Sequence, residues 1–274
     1  MQYGYKLIIW SWSIYILFFF IWGLNYRRDS LSEILNLPIE YNLEELEKNT
    51  KDLICLTNDF YFLLSPDSDS TKITIPYSLK KIIEKTANNY QLPKELKFSI
   101  PIYPYAKYSF FSTPLSYMGF SGYLNPLTLE SHVNKNIPKN TFFITVAHEM
   151  AHQFGIAIEK EANFIAFFNG IKHENIYFKY AASTFALSYF YNDFYKYNPE
   201  QAKVLISYLA KGVFENYREN REFWQKYENP FEVVFEKTYD TYLKTQGIKS
   251  GIKNYNEIVG LIINANKKEK FYEK

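Results

Sequence analysis

The chain has 274 residues but only one cysteine, four histidines and a net charge of +2. Cys55 alone cannot close an intramolecular disulfide, and it removes any CxxC zinc or redox site. It lies in the apolar stretch Asp52 to Leu56 and is expected in the core. The 31 Lys and Arg stand against 29 Asp and Glu with no basic block, so the electrostatic footprint of a nucleic-acid binder is missing. No internal repeat is apparent either. What is abundant is apolar and aromatic: 47% of residues are hydrophobic and 20% are Phe, Trp or Tyr, far above disordered chains. The length suits one large domain or two small ones.

One long uncharged run stands apart. From Leu7 to Leu24 no residue is charged, and at ~1.5 Å rise per residue an all-helical run approaches the ~30 Å of a hydrocarbon layer. Trp10, Trp12 and Trp22 sit towards its ends, and Arg27 and Arg28 follow directly. The run is long and bulky and no small-x-small site follows, which argues against a cleaved signal peptide. Residues 1–28 therefore read as a single-pass transmembrane anchor with flanks, and the lipid bilayer as a partner. By local charge alone, Arg27 and Arg28 outweigh Lys6 and the amino terminus slightly and favour a cytoplasmic domain.

Beyond the anchor, apolar residues at Leu43, Leu46, Leu53, Leu56 and Phe60 have helical spacing, and Pro76 to Tyr90 reads as a second helix. Residues 97–133 alternate aromatic and β-branched side chains among Pro and Gly, as short strands and turns do. From Thr141 onward helical periodicity dominates, with breaks at Gly155, Gly170, Pro199, Gly212 and Pro230. The stripe Tyr177, Phe178, Phe185, Tyr189, Phe190 and Phe194 reads as core. His173 reads as an exposed helix-end histidine, and Arg218 and Arg221 as a salt-bridged surface. The expected fold is α+β and predominantly helical over 29–266, with a frayed charged tail at 267–274.

The chemistry concentrates at one place. Two of the four histidines stand in His148-Glu149-x-x-His152, within a helical apolar segment that Pro138 starts. At ~100° per residue, positions four apart share a face, so both imidazoles reach one tetrahedral ion while Glu149 projects beside them. Glu149 need not be a ligand; it is placed to take a proton from water that the metal activates. A third ligand must come from a second helix after the turn at Gly155, and Glu159 and Glu161 compete for the role.

The pattern HExxHxxGxxxExEAN, from His148 to Asn163, resembles gluzincin-type zinc metallopeptidases, in many of which the second helix carries a glutamate ligand followed four residues later by Asp or Asn. On that spacing Glu159 is the expected ligand of Zn²⁺. Asn163, on the same helix face, would support a ligand by a hydrogen bond, and Glu161 would point away to cap or pair with a neighbour. Four segments together, Phe20 to Arg27, Gly119 to Pro126, the HEMAHQFG run and Tyr239 to Lys244, resemble the bacterial membrane family called domain of unknown function 3810. The resemblance implies a zincin-like metallopeptidase domain. Family members begin with further membrane helices, which implies an N-terminally shortened chain and places the domain on the extracytoplasmic side of the bacterial cell membrane.

The remaining candidates complete that reading. Gly122, Tyr123, Leu124 and Asn125 stand where such enzymes place an edge strand that pairs with an extended peptide substrate. His132 is not expected to be a ligand. Tyr239, Tyr242 and Tyr255 are candidate donors to a tetrahedral intermediate, and Tyr242 is the choice. The expected activity is a membrane-anchored zinc endopeptidase acting on a peptide or protein; the alternative is a zinc-binding membrane protein with a regulatory or scaffold role and no turnover.

Overall fold

The computed structural model describes residues 2–67, 70–96, 102–230, 237, 241 and 255–272. Helix follows helix in the order α1 Gln2–Ile21, a 3-10 turn Gly23–Arg27, α2 Leu31–Ile34, α3 Leu43–Leu64 and α4 Leu79–Asn88. After β1 Ala106–Tyr108 come α5 Ser112–Tyr117, β2 Gly122–Leu124 and β3 Ser131–Val133. The second half runs α6 Lys139–Gln153, α7 Glu159–Lys172, α8 Ile176–Tyr197, α9 Pro199–Ile206, α10 Lys211–Gln225 and α11 Tyr255–Glu269. The domain is thus predominantly helical with one small sheet.

Local chemistry sets the helix ends. Asn42 accepts from Glu45 N while the Glu45 side chain accepts from Asn42 N, a reciprocal cap that satisfies two donors at the start of α3. Ser30 and Glu33 repeat it for α2, and Ser78 caps α4. The three-stranded sheet has the order β1-β3-β2, parallel between β1 and β3 and antiparallel between β3 and β2. It lies where the sequence pattern puts the strands and packs on α6.

The core is built around α6, α7 and α8. Phe142, Phe143, Phe164, Phe167, Phe178, Phe190 and Phe194 are fully buried, and the Phe143 and Phe178 rings stack at 4.1 Å. α7 passes through Gly170 without a break. On α3, residues 53, 54, 56 and 57 point inward, which leaves Cys55 on the outer face, exposed rather than in the core. Of the tail read as frayed, the described residues 267–272 are held: Lys267 pairs with Glu45 and Phe271 sits edge-on to Phe167.

The N-terminal run departs most from its sequence reading. Among the described residues no helix is long and apolar enough to cross a membrane. The run Leu7–Leu24 is not one helix: α1 stops at Ile21, Trp22 and Gly23 are buried, and the chain tightens into the 3-10 turn. The helical part from Leu7 to Ile21 reaches ~22 Å, short of the ~30 Å required. Trp22 and Gly23 therefore pack with the globular part instead of ending an anchor. Arg28 Nη1 donates to Phe154 O at 2.8 Å, beside the turn that follows α6.

Candidate metal centre

α6 ends at Gln153 because Gly155 adopts φ +74°, a left-handed conformation that favours glycine, and the chain reverses into α7. A Cβ on Gly155 would also meet Arg28 Nη1 at 2.5 Å and Asn25 Oδ1 at 2.6 Å, so the 3-10 turn leans directly on this reversal. The tight turn brings the first residue of α7, Glu159, over the last turn of α6.

Three ligand atoms converge there. One nitrogen each of His148 and His152 and a Glu159 carboxylate oxygen lie within 4.8 Å of one another. Glu159 Oε2 is 3.1 Å from His148 Nε2 and 3.9 Å from His152 Nε2, and the two Nε2 atoms are 3.1 Å apart. The outer nitrogens fix this orientation. His152 Nδ1 donates to Ile156 O at 2.6 Å, and His148 Nδ1 donates to Asn163 Oδ1 at 2.8 Å. Both partners are acceptors, so each ring carries its proton on Nδ1 and turns an Nε2 lone pair inward. Two lone pairs and a carboxylate at this spacing repel unless a cation or a proton lies between them. The donor set of two imidazoles and one carboxylate suits zinc.

The same crowding shifts the titration of the metal-free groups. Burial works against the charged form of His148, yet the hydrogen bond and charge of Glu159, aided by Glu149, raise it to about 9. Burial and the neighbouring His148 push His152 down to about 4. Burial pushes Glu149 up to about 8 against the pull of His148.

Glu149 stands beside the ligand set without joining it. Its Oε2 is buried and has no hydrogen-bond partner among the described residues, an arrangement that costs free energy unless something else fills the gap. Its other oxygen presses on β2: a Cβ at Gly122 would come within 2.5 Å of Glu149 Oε1. Only glycine lets strand and carboxylate approach so closely. A cavity of about 850 Å³ opens in front of these groups, with Gly122, Tyr123 and Leu124 along one side.

The other sequence candidates fall out as follows. Asn163 contacts His148 and donates to Tyr189 Oη at 3.3 Å. Glu161 points away and accepts from Leu31 N at 2.8 Å, capping a helix distant in sequence. Asn125 does not line the cavity; its Oδ1 accepts from Leu127 N and Thr128 N and shapes the hairpin turn. His132 stacks on Tyr123 at 5.0 Å, away from the ligand cluster. His173 is buried, not exposed: its ring packs against Phe143 and Phe178, and its Nδ1 accepts from Asn175 N. Tyr239 and Tyr242 lie outside the described residues, and Tyr255 begins α11. Phe185 and Tyr189, read as core, line the cavity, as do Phe18 and Trp22 from the N-terminal run. Trp22 sets its ring edge-on to His152 at 6.1 Å. Only the aromatic character of these residues was visible in sequence, where 20% of the chain shares it.

A family profile described as "Protein of unknown function (DUF3810)" matches residues 1–263. The chain belongs to this family. No curated protein matches this DUF3810 member, and no solved structure does. The match includes α1, the small sheet and the His148, His152 and Glu159 cluster, so all of them lie within the family's span.

Proposed function

We propose that this DUF3810 protein is a zinc-dependent peptidase of gluzincin type. The observation that carries the reading is the convergence of His148, His152 and Glu159 beside a buried carboxylate that is not one of them. Bound zinc would supply Lewis-acid chemistry, polarising a carbonyl and making water more acidic. The rest falls to the chain's own residues. His148, His152 and Glu159 would hold the ion, with Asn163 and Ile156 O keeping the rings in register. Glu149, whose Oε2 has no other described partner, takes the proton of the attacking water and passes it to the leaving nitrogen. β2 lies along the cavity as the edge strand of its sheet and would add an extended peptide to that edge. A purely structural zinc site has no use for Glu149, and among the described residues no fourth His, Cys, Asp or Glu joins the cluster.

The protein is further proposed to sit at a membrane through α1. Leu7, Trp10, Trp12, Ile14 and Phe20 are exposed on all sides of this helix, and a helix apolar all round is at home in lipid rather than water.

The test is Glu149→Gln in zinc-loaded protein. The amide keeps the shape and loses the base, so zinc content stays near one per chain while cleavage of a degenerate peptide mixture falls by about 10²–10⁴-fold. Equal turnover by the variant overturns the role of Glu149. Failure of the unmodified protein to take up zinc overturns the whole reading.

A further inference from the structure

We infer that the substrate is a polypeptide segment adjoining a lipid surface, cut close to the boundary of the apolar layer. The inference rests on the peptidase reading above and adds where its substrate comes from. Phe18 near the end of α1 and Trp22 just beyond it line the same cavity as His148, Glu149 and Glu159. The site is therefore built partly from the helix that carries the largest exposed apolar surface.

The medium around α1 follows from how its side chains are distributed. Leu7 is 72% exposed, Trp10 69%, Trp12 61% and Phe20 68%, and at ~100° per residue these positions spread around the whole circumference. A protein partner covers one face of a helix; lipid covers all of them. With α1 in lipid, the 6.1 Å between the Trp22 and His152 rings would keep the site near the end of that helix. Trp22 follows exposed Phe20 by two residues, ~3 Å of helical rise, so the cluster it touches lies close to the end of the exposed run. At ~3.3 Å per residue, an extended segment leaving the apolar layer reaches the cluster within about five residues.

The ligand is a polypeptide rather than a lipid because of the strand. Among the described residues β2 pairs with β3 on one side only, and its residues Gly122 to Leu124 line the cavity. A strand edge recognises backbone amides, which a lipid lacks. The reaction is hydrolysis: the C–N bond breaks, the water oxygen bonds to the acyl carbon, and the proton taken by Glu149 goes to the leaving nitrogen.

The experiment uses full-length, zinc-loaded protein in phosphatidylethanolamine/phosphatidylglycerol vesicles, with Glu149→Gln as the background control. One reporter pool carries a degenerate segment directly after a membrane span, a second the same segments without a span, and a third a ten-residue Gly/Ser spacer between span and segment. Cut positions are read by mass spectrometry. The expected result is at least tenfold faster cutting of the tethered pool, with cuts within about five residues of the span and lost or moved into the spacer in the third pool. Equal rates with and without the span, or cuts that follow the segment past the spacer, overturn this inference and leave the peptidase intact. No zinc- and Glu149-dependent cutting of any pool overturns the peptidase reading, and this inference with it.

Discussion

At the scale of single residues, the His148, His152 and Glu159 cluster would tie metal binding to proton release. Metal-free His148 is held up at about 9 by Glu159, so below that pH a proton occupies the nitrogen an ion needs. His152, pushed down to about 4, is already neutral and adds no proton at neutral pH. Zinc affinity is therefore expected to weaken about tenfold per pH unit below 9, or ~100-fold between pH 8 and pH 6, as read by competition with a chelator of known pH dependence. The two glutamates of α7 separate by consequence. Glu159→Ala should lose the metal. Glu161→Ala should keep it but strand the buried Leu31 N–H, lowering stability by ~1–3 kcal/mol in thermal unfolding. Reversed metal contents would exchange their roles. Asn163→Ala removes the outer partner of the His148 ring and is expected to weaken zinc binding by about tenfold or more, the usual effect of removing an outer partner of a ligand.

At the scale of elements, the Gly155 reversal is the junction on which the site depends. α6 supplies two of the proposed ligands, α7 the third, and the 3-10 turn Gly23–Arg27 with the following Arg28 buttresses the bend through Asn25 and Arg28. Two truncations should consequently behave differently. Removing residues 1–21 takes away α1 and is expected to leave a folded, zinc-binding protein. Removing residues 1–28 also takes Trp22, Asn25 and Arg28, and should lower the melting temperature by several degrees and weaken zinc binding. Equal melting temperatures and metal contents would show that the buttress carries no load.

This junction also marks how far the sequence could be read. His148, His152 and Glu159 were legible because α6 and α7 are consecutive and the i, i+4 spacing of the histidines fixes a common face. Asn163 was legible for the same reason, four residues after Glu159. Trp22 and Arg28 were not: they meet the site from more than a hundred residues away, and a tryptophan ending an apolar run reads equally well as a membrane-interface residue. The cavity-lining Phe185 and Tyr189 share their spacing with buried Phe178 and Phe190, so periodicity placed them on a helix but not on which of its neighbours they face. Cys55 failed for the converse reason, since one residue of offset on a helix exchanges an inner for an outer position, and His173, extended just past α7, is buried by Phe143 and Phe178 from elsewhere in the fold.

At the scale of the whole molecule, a compact helical body and an exposed apolar helix are joined through the walls of one cavity. The membrane proposal makes a simple statement about this arrangement: full-length protein should float with lipid vesicles in a density gradient, and protein lacking residues 1–21 should remain at the bottom. Flotation of the truncated form would place the lipid contact elsewhere on the body.

The Trp22 ring beside His152 has an optical consequence. Only four tryptophans are present, and Trp10 and Trp12 lie on the exposed part of α1. An open-shell ion such as Cu²⁺ or Co²⁺ seated between the histidines would stand close enough to the Trp22 indole to drain its excited state, while closed-shell Zn²⁺ would leave it bright. Intrinsic fluorescence would thus distinguish a seated open-shell ion from zinc, without a substrate.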